Sequence, residues 1–209
     1  MARPRFGQGA LALDPTRSVF INCPFDPEYL ELFDAIVFAT VCCGFIPRSA
    51  LESGTVSELR LARIIRALHG CKYSIHDLSR CSGEGDYNFA RFNMPLELGM
   101  AMALRFMDTA SEHDWLVLVP EGHSYHRFVS DLAAYDPATH NGSVPGIVVA
   151  VMSWLATREE AIPPVTPKQV LELLPGFQLR RRELDSTWGG YPPWPEVIMA
   201  AIEVARLLT

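Results

Sequence analysis

Apolar and polar positions fall into blocks that switch between two periods along the first half of the chain. Val19 to Ile21 form a short apolar run ahead of turn residues, the mark of a buried strand. "DPEYLELFDAIVFATVCCG" then takes up helical spacing, with Leu30, Phe33, Val37 and Val41 on one stripe. Asp26 is placed as its N-cap, Pro27 at the first helical position, Glu28 near the positive end of the dipole and Gly44 as its stop. "FIPRSALE" predicts a second strand and "SGTVSELRLARIIRALHG" a second helix. In that helix Thr55 and Glu58 have capping-box spacing. Leu61, Ile64, Ile65 and Leu68 form its inward stripe, with Arg60, Arg63 and Arg66 outside. "CKYSIHDLS" predicts a third strand, and residues 80–92 a polar loop. A helix over residues 94–106 and the strand "DWLVLVP" follow.

Strand and helix in alternation imply parallel strands joined by right-handed crossovers, with helices on both faces of the sheet. After Pro120 the pattern changes. "SYHRFVSDLAAY", "SVPGIVVAVMSWLAT", "TPKQVLELL" and "PEVIMAAIEVARLL" are all expected to be helical, with at most one further weak strand. The expected fold is α/β and flavodoxin-like, with extra C-terminal helices. Residues 1–16 are expected to be a loose tail and 17–209 a single domain, its core over 17–120 and a helical elaboration over 121–209.

Composition narrows the function classes. The 209 residues are 49% hydrophobic, enough to bury a core, and carry a net charge of −6 with no basic block. Binding to nucleic acid without regard to sequence needs clustered Lys and Arg, so nucleic acid is not an expected partner. No apolar run approaches the roughly 18 residues of a membrane span, and the N-terminus lacks the apolar core of a signal peptide. Five cysteines without a C-x-x-C pair fit a reducing cytoplasm.

In an open parallel sheet, ligands bind outside the carboxyl ends of the strands, where strand order reverses. The groups expected there are Asn22, Cys23, Phe25 and Asp26 after the first strand and Arg48 after the second. His76, Asp77 and Ser79 follow the third, and Asn93 and Glu97 open the next helix. Glu97 is either a carboxylate resting on its helix dipole or a buried group with a purpose, because Leu96, Leu98, Met100, Ala101 and Leu104 predict a helix buried nearly all round. Gly99 leaves room for a close approach. Asp77 is a candidate for contact with a ligand or a bridge within its loop. Asn22 either hydrogen-bonds a ligand or holds the turn before Pro24. Arg48 suits a phosphate or pairs with Glu52, and Ser79 is a further ligand-binding candidate. His76, on the opposite face of its strand from Asp77, is expected to be structural. His123 and His126 lack a third ligand, so neither metal nor cofactor is expected. Asp131, Asp136 and His140 are expected at the surface. Trp188, Tyr191 and Trp194 are expected to pack on the domain. There is no phosphate-binding G-x-x-x-x-G-K-[ST] loop and no G-x-G-x-x-G fingerprint.

"FINCPFDPEYLELFDAI", "CKYSIHDLS" and "FNMPLELGMAMAL" together resemble the nucleoside 2-deoxyribosyltransferase family and the related TIR-like domains. In that family a first strand runs into a Gly-Pro-Phe turn, a third strand ends in an acidic loop, and a helix opens with Glu-Leu-Gly-x-Ala. Here these are Cys23-Pro24-Phe25, Asp77 and Glu97-Leu98-Gly99-Met100-Ala101, over roughly residues 17–120. The transferases carry Gly-Thr or Ser-Gly-Thr ahead of the helix, where this chain has Phe92-Asn93-Met94-Pro95. The resemblance implies a cytoplasmic, bacterial N-glycosidase acting on a nucleoside, nucleotide or NAD, with Glu97 as nucleophile and Asp77 in contact with the base. Asn22, Phe25, Arg48, Ser79 and Asn93 are then candidates for substrate binding. It also implies a homo-oligomer. The alternative is a nucleotide-binding sensor or interaction module that does not turn its ligand over, in the way TIR-like domains serve bacterial defence.

Overall fold

The computed structural model describes residues 14–52, 59–80, 92–108, 111–120, 129–132, 135–162 and 165–208. Its sheet contains β1 (Ser18–Asn22), β2 (Ile46–Ser49), β3 (Tyr73–Asp77), β4 (Asp114–Val119) and the short β5 (Ala138–Thr139). All pair in parallel, in the order β2-β1-β3-β4-β5. This is the flavodoxin-like order, whose reversal falls between β1 and β3. Every residue of β1 and β3 is buried. Such strands are covered on both faces, which is why "SVFIN" and "YSIHD" show little polar alternation outward to solvent.

Helices cover both sheet faces. On one side lie α1 (Leu30–Cys42), α4 (Val144–Leu155), α5 (Pro167–Thr187) and α6 (Trp194–Ala205). They share one continuous core with Val19, Ile21, Tyr73, Ile75, Leu116 and Leu118. On the other side lie α2 (Arg60–His69) and α3 (Asn93–Met107). There Phe20 meets Ile64, Leu68 and Ala101, while Val117 and Val119 meet Met94 and Leu98. Neighbouring residues of a strand thus serve opposite layers, as period-two geometry requires.

Several local expectations are corrected. Pro27 opens a 3-10 turn, Pro27–Tyr29, and α1 proper begins at Leu30; Asp26 makes no side-chain cap bond to that turn. Leu61 and Ile65 are exposed rather than inward, and α2 buries Ile64, Ala67 and Leu68. A helix at the side of its layer, packed on α3, β2 and Phe20 of β1, needs a narrower apolar stripe than one in the middle of a layer. The Thr55–Glu58 capping box lies outside the described residues. Of "SYHRFVSDLAAY", the described part holds only a 3-10 turn, Ser130–Leu132. The helix expected to end with "LELL" runs on through Pro175 to Thr187. A complete Thr166–Gln169 capping box starts it, and Phe177, stacked on Phe38 of α1 at 5.4 Å, anchors it beyond the proline. Burial on both sides of Pro175 outweighs the one backbone hydrogen bond a proline removes. No helix among the described residues is long and apolar enough to cross a membrane.

Candidate functional site

The carboxyl ends of β1 and β3 lie side by side at the point where strand order reverses. Asp77, the last residue of β3, has no exposed surface. Its Oδ2 accepts the Tyr29 hydroxyl at 2.5 Å and lies 3.2 Å from His140 Nε2. Its Oδ1 accepts the Ser79 backbone N–H at 2.7 Å. The carboxyl group expected to touch a base is therefore surrounded by its own chain. It ties the entry to α1, the loop after β3 and the loop after β5 to one point.

Ser79, His140 and Asp77 have the composition of a hydrolytic triad but not its geometry. Ser79 Oγ lies 3.2 Å from Nε2 of His140, the same nitrogen that faces Asp77. The other ring nitrogen, Nδ1, accepts the Gly142 N–H at 3.1 Å. A relay needs the carboxylate and the hydroxyl on different nitrogens, so this histidine bridges and does not shuttle protons. Nor is it at the surface, as expected from sequence: it is buried at the end of β5. The first turn of α4 lies against it, and a Cβ added at Gly146 would stand 2.1 Å from the His140 carbonyl oxygen.

Glu97 is the fifth residue of α3, which has no acidic residue in its first turn. The dipole interaction fades beyond the first turn, so that explanation of the residue weakens. Only 5% of Glu97 is exposed, and it shares the buried face of α3 with Met94, Leu98 and Ala101. No hydrogen bond or ion pair to its carboxyl group is made among the described residues, yet neither oxygen is one of the unpartnered side-chain atoms sealed from solvent. Burial pushes the carboxyl up to about 7, against a smaller opposing pull from Arg60 at the start of α2. Cys23 links the two carboxyl groups. Its thiol is held well above the usual range by burial and then by the charges of Asp77, Glu97 and Asp26. It stays protonated and is no nucleophile at neutral pH.

Around this centre the candidates divide. Phe25 is 37% exposed and rests edge-on against Phe33 at 5.4 Å, so it presents part of an aromatic surface to solvent after β1. Ser79 is half-buried beside His140, and Asn93 is exposed at the start of α3. Asn22 is buried, and both protons of its amide are engaged, at His76 Nδ1 (2.9 Å) and the Met94 carbonyl (3.0 Å). Arg48 is not brought to the cleft. Its Nε and Nη2 pair with both oxygens of Glu52, and its guanidinium lies beside Gly70, in the turn entering β3 from the far edge of the sheet. His76 is buried, and burial with its neighbour His113 pushes it down to about 3. It is neutral, as a structural histidine should be. His123 and His126 lie outside the described residues, as does the side chain of Asp131; Asp136 is exposed.

Compared with models of protein families, with curated proteins and with solved structures, the chain matches none. The site has to be judged on its own chemistry: the buried carboxyl group of Glu97 under the influence of Arg60, the partly exposed ring of Phe25 after β1, and the fully engaged Asp77 at the end of β3.

Two further expectations change. Helix α3 is not buried all round: Leu96, Phe106 and Met107 are exposed, as is Phe92 just ahead of it. Nothing lies within 4 Å of a Cβ built on Gly99, so the space there is open. Trp194 does pack on the domain, donating from Nε1 to the Pro47 carbonyl at 3.1 Å, while Trp188 and Tyr191 are exposed. Sequence reasoning passed over Tyr29, whose helical spacing hid a polar role. It also misplaced His140, because a two-residue strand leaves almost no periodic signal.

Proposed function

We propose that the cleft at the β1–β3 switch point cleaves an N-glycosidic bond of a nucleotide, with Glu97 as nucleophile. The observation that carries this is a buried carboxyl group on the first turns of α3 with no hydrogen-bond or ionic partner among the described residues. Isolated buried carboxyls are costly, and a raised pKa in a cleft marks a candidate reacting group.

The ionised carboxylate attacks the anomeric carbon as the C–N bond breaks, and the bonding pair leaves with the base. Water then hydrolyses the sugar ester, restoring the carboxylate and releasing a proton. At neutral pH a group with a pKa of about 7 is part ionised, and positive charge developing on the sugar favours the reactive form further. Phe25 offers a face for the base to stack on.

The occupied state of Asp77 bears on the substrate. Purines and pyrimidines leave poorly as anions and call for a proton or hydrogen-bond donor. Nicotinamide leaves NAD as a neutral pyridine and needs none. A site whose described residues offer one unengaged carboxyl and no proton relay therefore supports NAD, or another pyridinium nucleotide, over an ordinary nucleoside. Free base would be measured by chromatography after incubating wild type and Glu97→Gln with NAD, nucleosides and nucleotides. Release of nicotinamide by wild type alone is expected. Binding of NAD without release, unchanged in kind by Glu97→Gln, would replace this reading with that of a nucleotide sensor.

A further inference from the structure

Two backbone carbonyls dictate the position of every proton in a buried chain on the α2–α3 side of the sheet. A carbonyl oxygen only accepts, so the Asn22 atom 3.0 Å from Met94 O is the amide nitrogen. That nitrogen also faces His76 Nδ1 at 2.9 Å, so Nδ1 must accept and the His76 proton sits on Nε2. From there it donates to Ser74 Oγ at 2.9 Å. The other end is closed the same way: His113 Nδ1 faces the Cys71 carbonyl at 2.9 Å and must donate. His113 Nε2 then accepts the Ser74 hydroxyl at 2.9 Å. All four side chains are buried, and burial holds both imidazoles in the neutral form this order needs.

The chain ends at the opening turn of α3, whose N-cap residue, Phe92, makes no side-chain cap bond. Helix starts without a cap fray unless something else holds them. The hook from Asn22 to Met94 O ties this one to β1, and Glu97 lies one turn further along the same buried face. We propose that Asn22, oriented by His76, Ser74 and His113, is a positioning residue that holds the first turn of α3 and so keeps Glu97 enclosed at the end of β1.

The test is the titration of Glu97 itself, followed by carbon NMR of its side-chain carboxyl and assigned with Glu97→Gln. Among the described residues the charged group that acts on Glu97 is Arg60 from α2; Asn22→Ala leaves it in place. In that variant the midpoint should fall by about one unit toward the ordinary glutamate range as water reaches the loosened turn. Nitrogen spectra of wild type should show His76 protonated at Nε2 and His113 at Nδ1. An unmoved midpoint in a folded Asn22→Ala, or the opposite tautomers, would overturn the proposal. If Asn22→Ala does not fold, His76→Asn and His76→Leu decide. The asparagine oxygen can replace Nδ1 as acceptor and should keep the wild-type midpoint, whereas leucine should lower it; equal midpoints would count against the hook. A second readout rests on Glu97 as nucleophile: Asn22→Ala should lower kcat for base release about tenfold with little change in KM. Should wild type release no base, that function fails, and the titration still decides the positioning role.

Discussion

Replacing Glu97 by glutamine should stabilise the protein, by an amount that depends on pH. Burial raises this carboxyl from an ordinary 4.5 to about 7 in the folded chain. Between those values the folded state binds more protons than the unfolded one. Wild-type stability therefore falls as pH rises through this window and levels off above it. At about 1.4 kcal/mol per unit of displaced pKa, ionisation costs the fold at most about 3–4 kcal/mol. Solvent reaching the carboxylate oxygens reduces that to roughly 2 kcal/mol. Glutamine keeps the shape and removes the charge. At pH 8 the variant should melt on the order of 4–8 °C above wild type for a chain of this size, and near pH 4 the difference should vanish. Asp34 is also raised to about 7 by burial, so wild type alone would mix two titrations of the same sign. The difference between the two proteins at each pH, from calorimetric melts, isolates Glu97. A Glu97→Gln variant no more stable than wild type at pH 8, or one with a pH-independent offset, would refute the picture of a desolvated, unpaired carboxyl. Stability given up at one residue is a common cost of a reactive site.

Three smaller perturbations probe the surroundings. Tyr29→Phe removes the 2.5 Å hydrogen bond to Asp77 inside the protein and should cost about 2 kcal/mol, read as a lower urea midpoint at unchanged slope; no loss would mean that water or His140 replaces the hydroxyl. Gly146→Ala would press a methyl group into the His140 backbone and should cost about 3 kcal/mol or prevent folding, whereas wild-type-like melting would mean that α4 can move off β5. Gly99→Ala, on an open helix face, should gain up to about 1 kcal/mol; a loss would show that this face is covered in solution.

What the sequence disclosed followed the strength of its periodic signals. The buried runs of β1 and β3 and the long apolar stripe of α1 specified parallel strands and crossovers, and with them the sheet edge that Asn22 and Asp77 end. Propensity misled where packing overrode it. Pro175 marked a helix end, but Phe177 on Phe38 carries α5 past it. Apolar residues in α3 suggested burial all round, yet Leu96 and Phe106 face outward. The polar partners were the least legible. Arg48 stands at a strand end like the others, and only the folded chain shows it turned to Glu52. Tyr29 and His140 reach Asp77 from 48 residues before it and from beyond β5, a closure that no local pattern encodes.

The most direct measurement is release of free base from NAD by the purified protein, followed by chromatography beside Glu97→Gln and a panel of nucleosides and nucleotides. Nicotinamide from wild type and none from the variant, with both folded, is the predicted result. NAD left intact by folded wild type at high concentration, or cleavage that survives Glu97→Gln, would contradict the role given to this carboxylate.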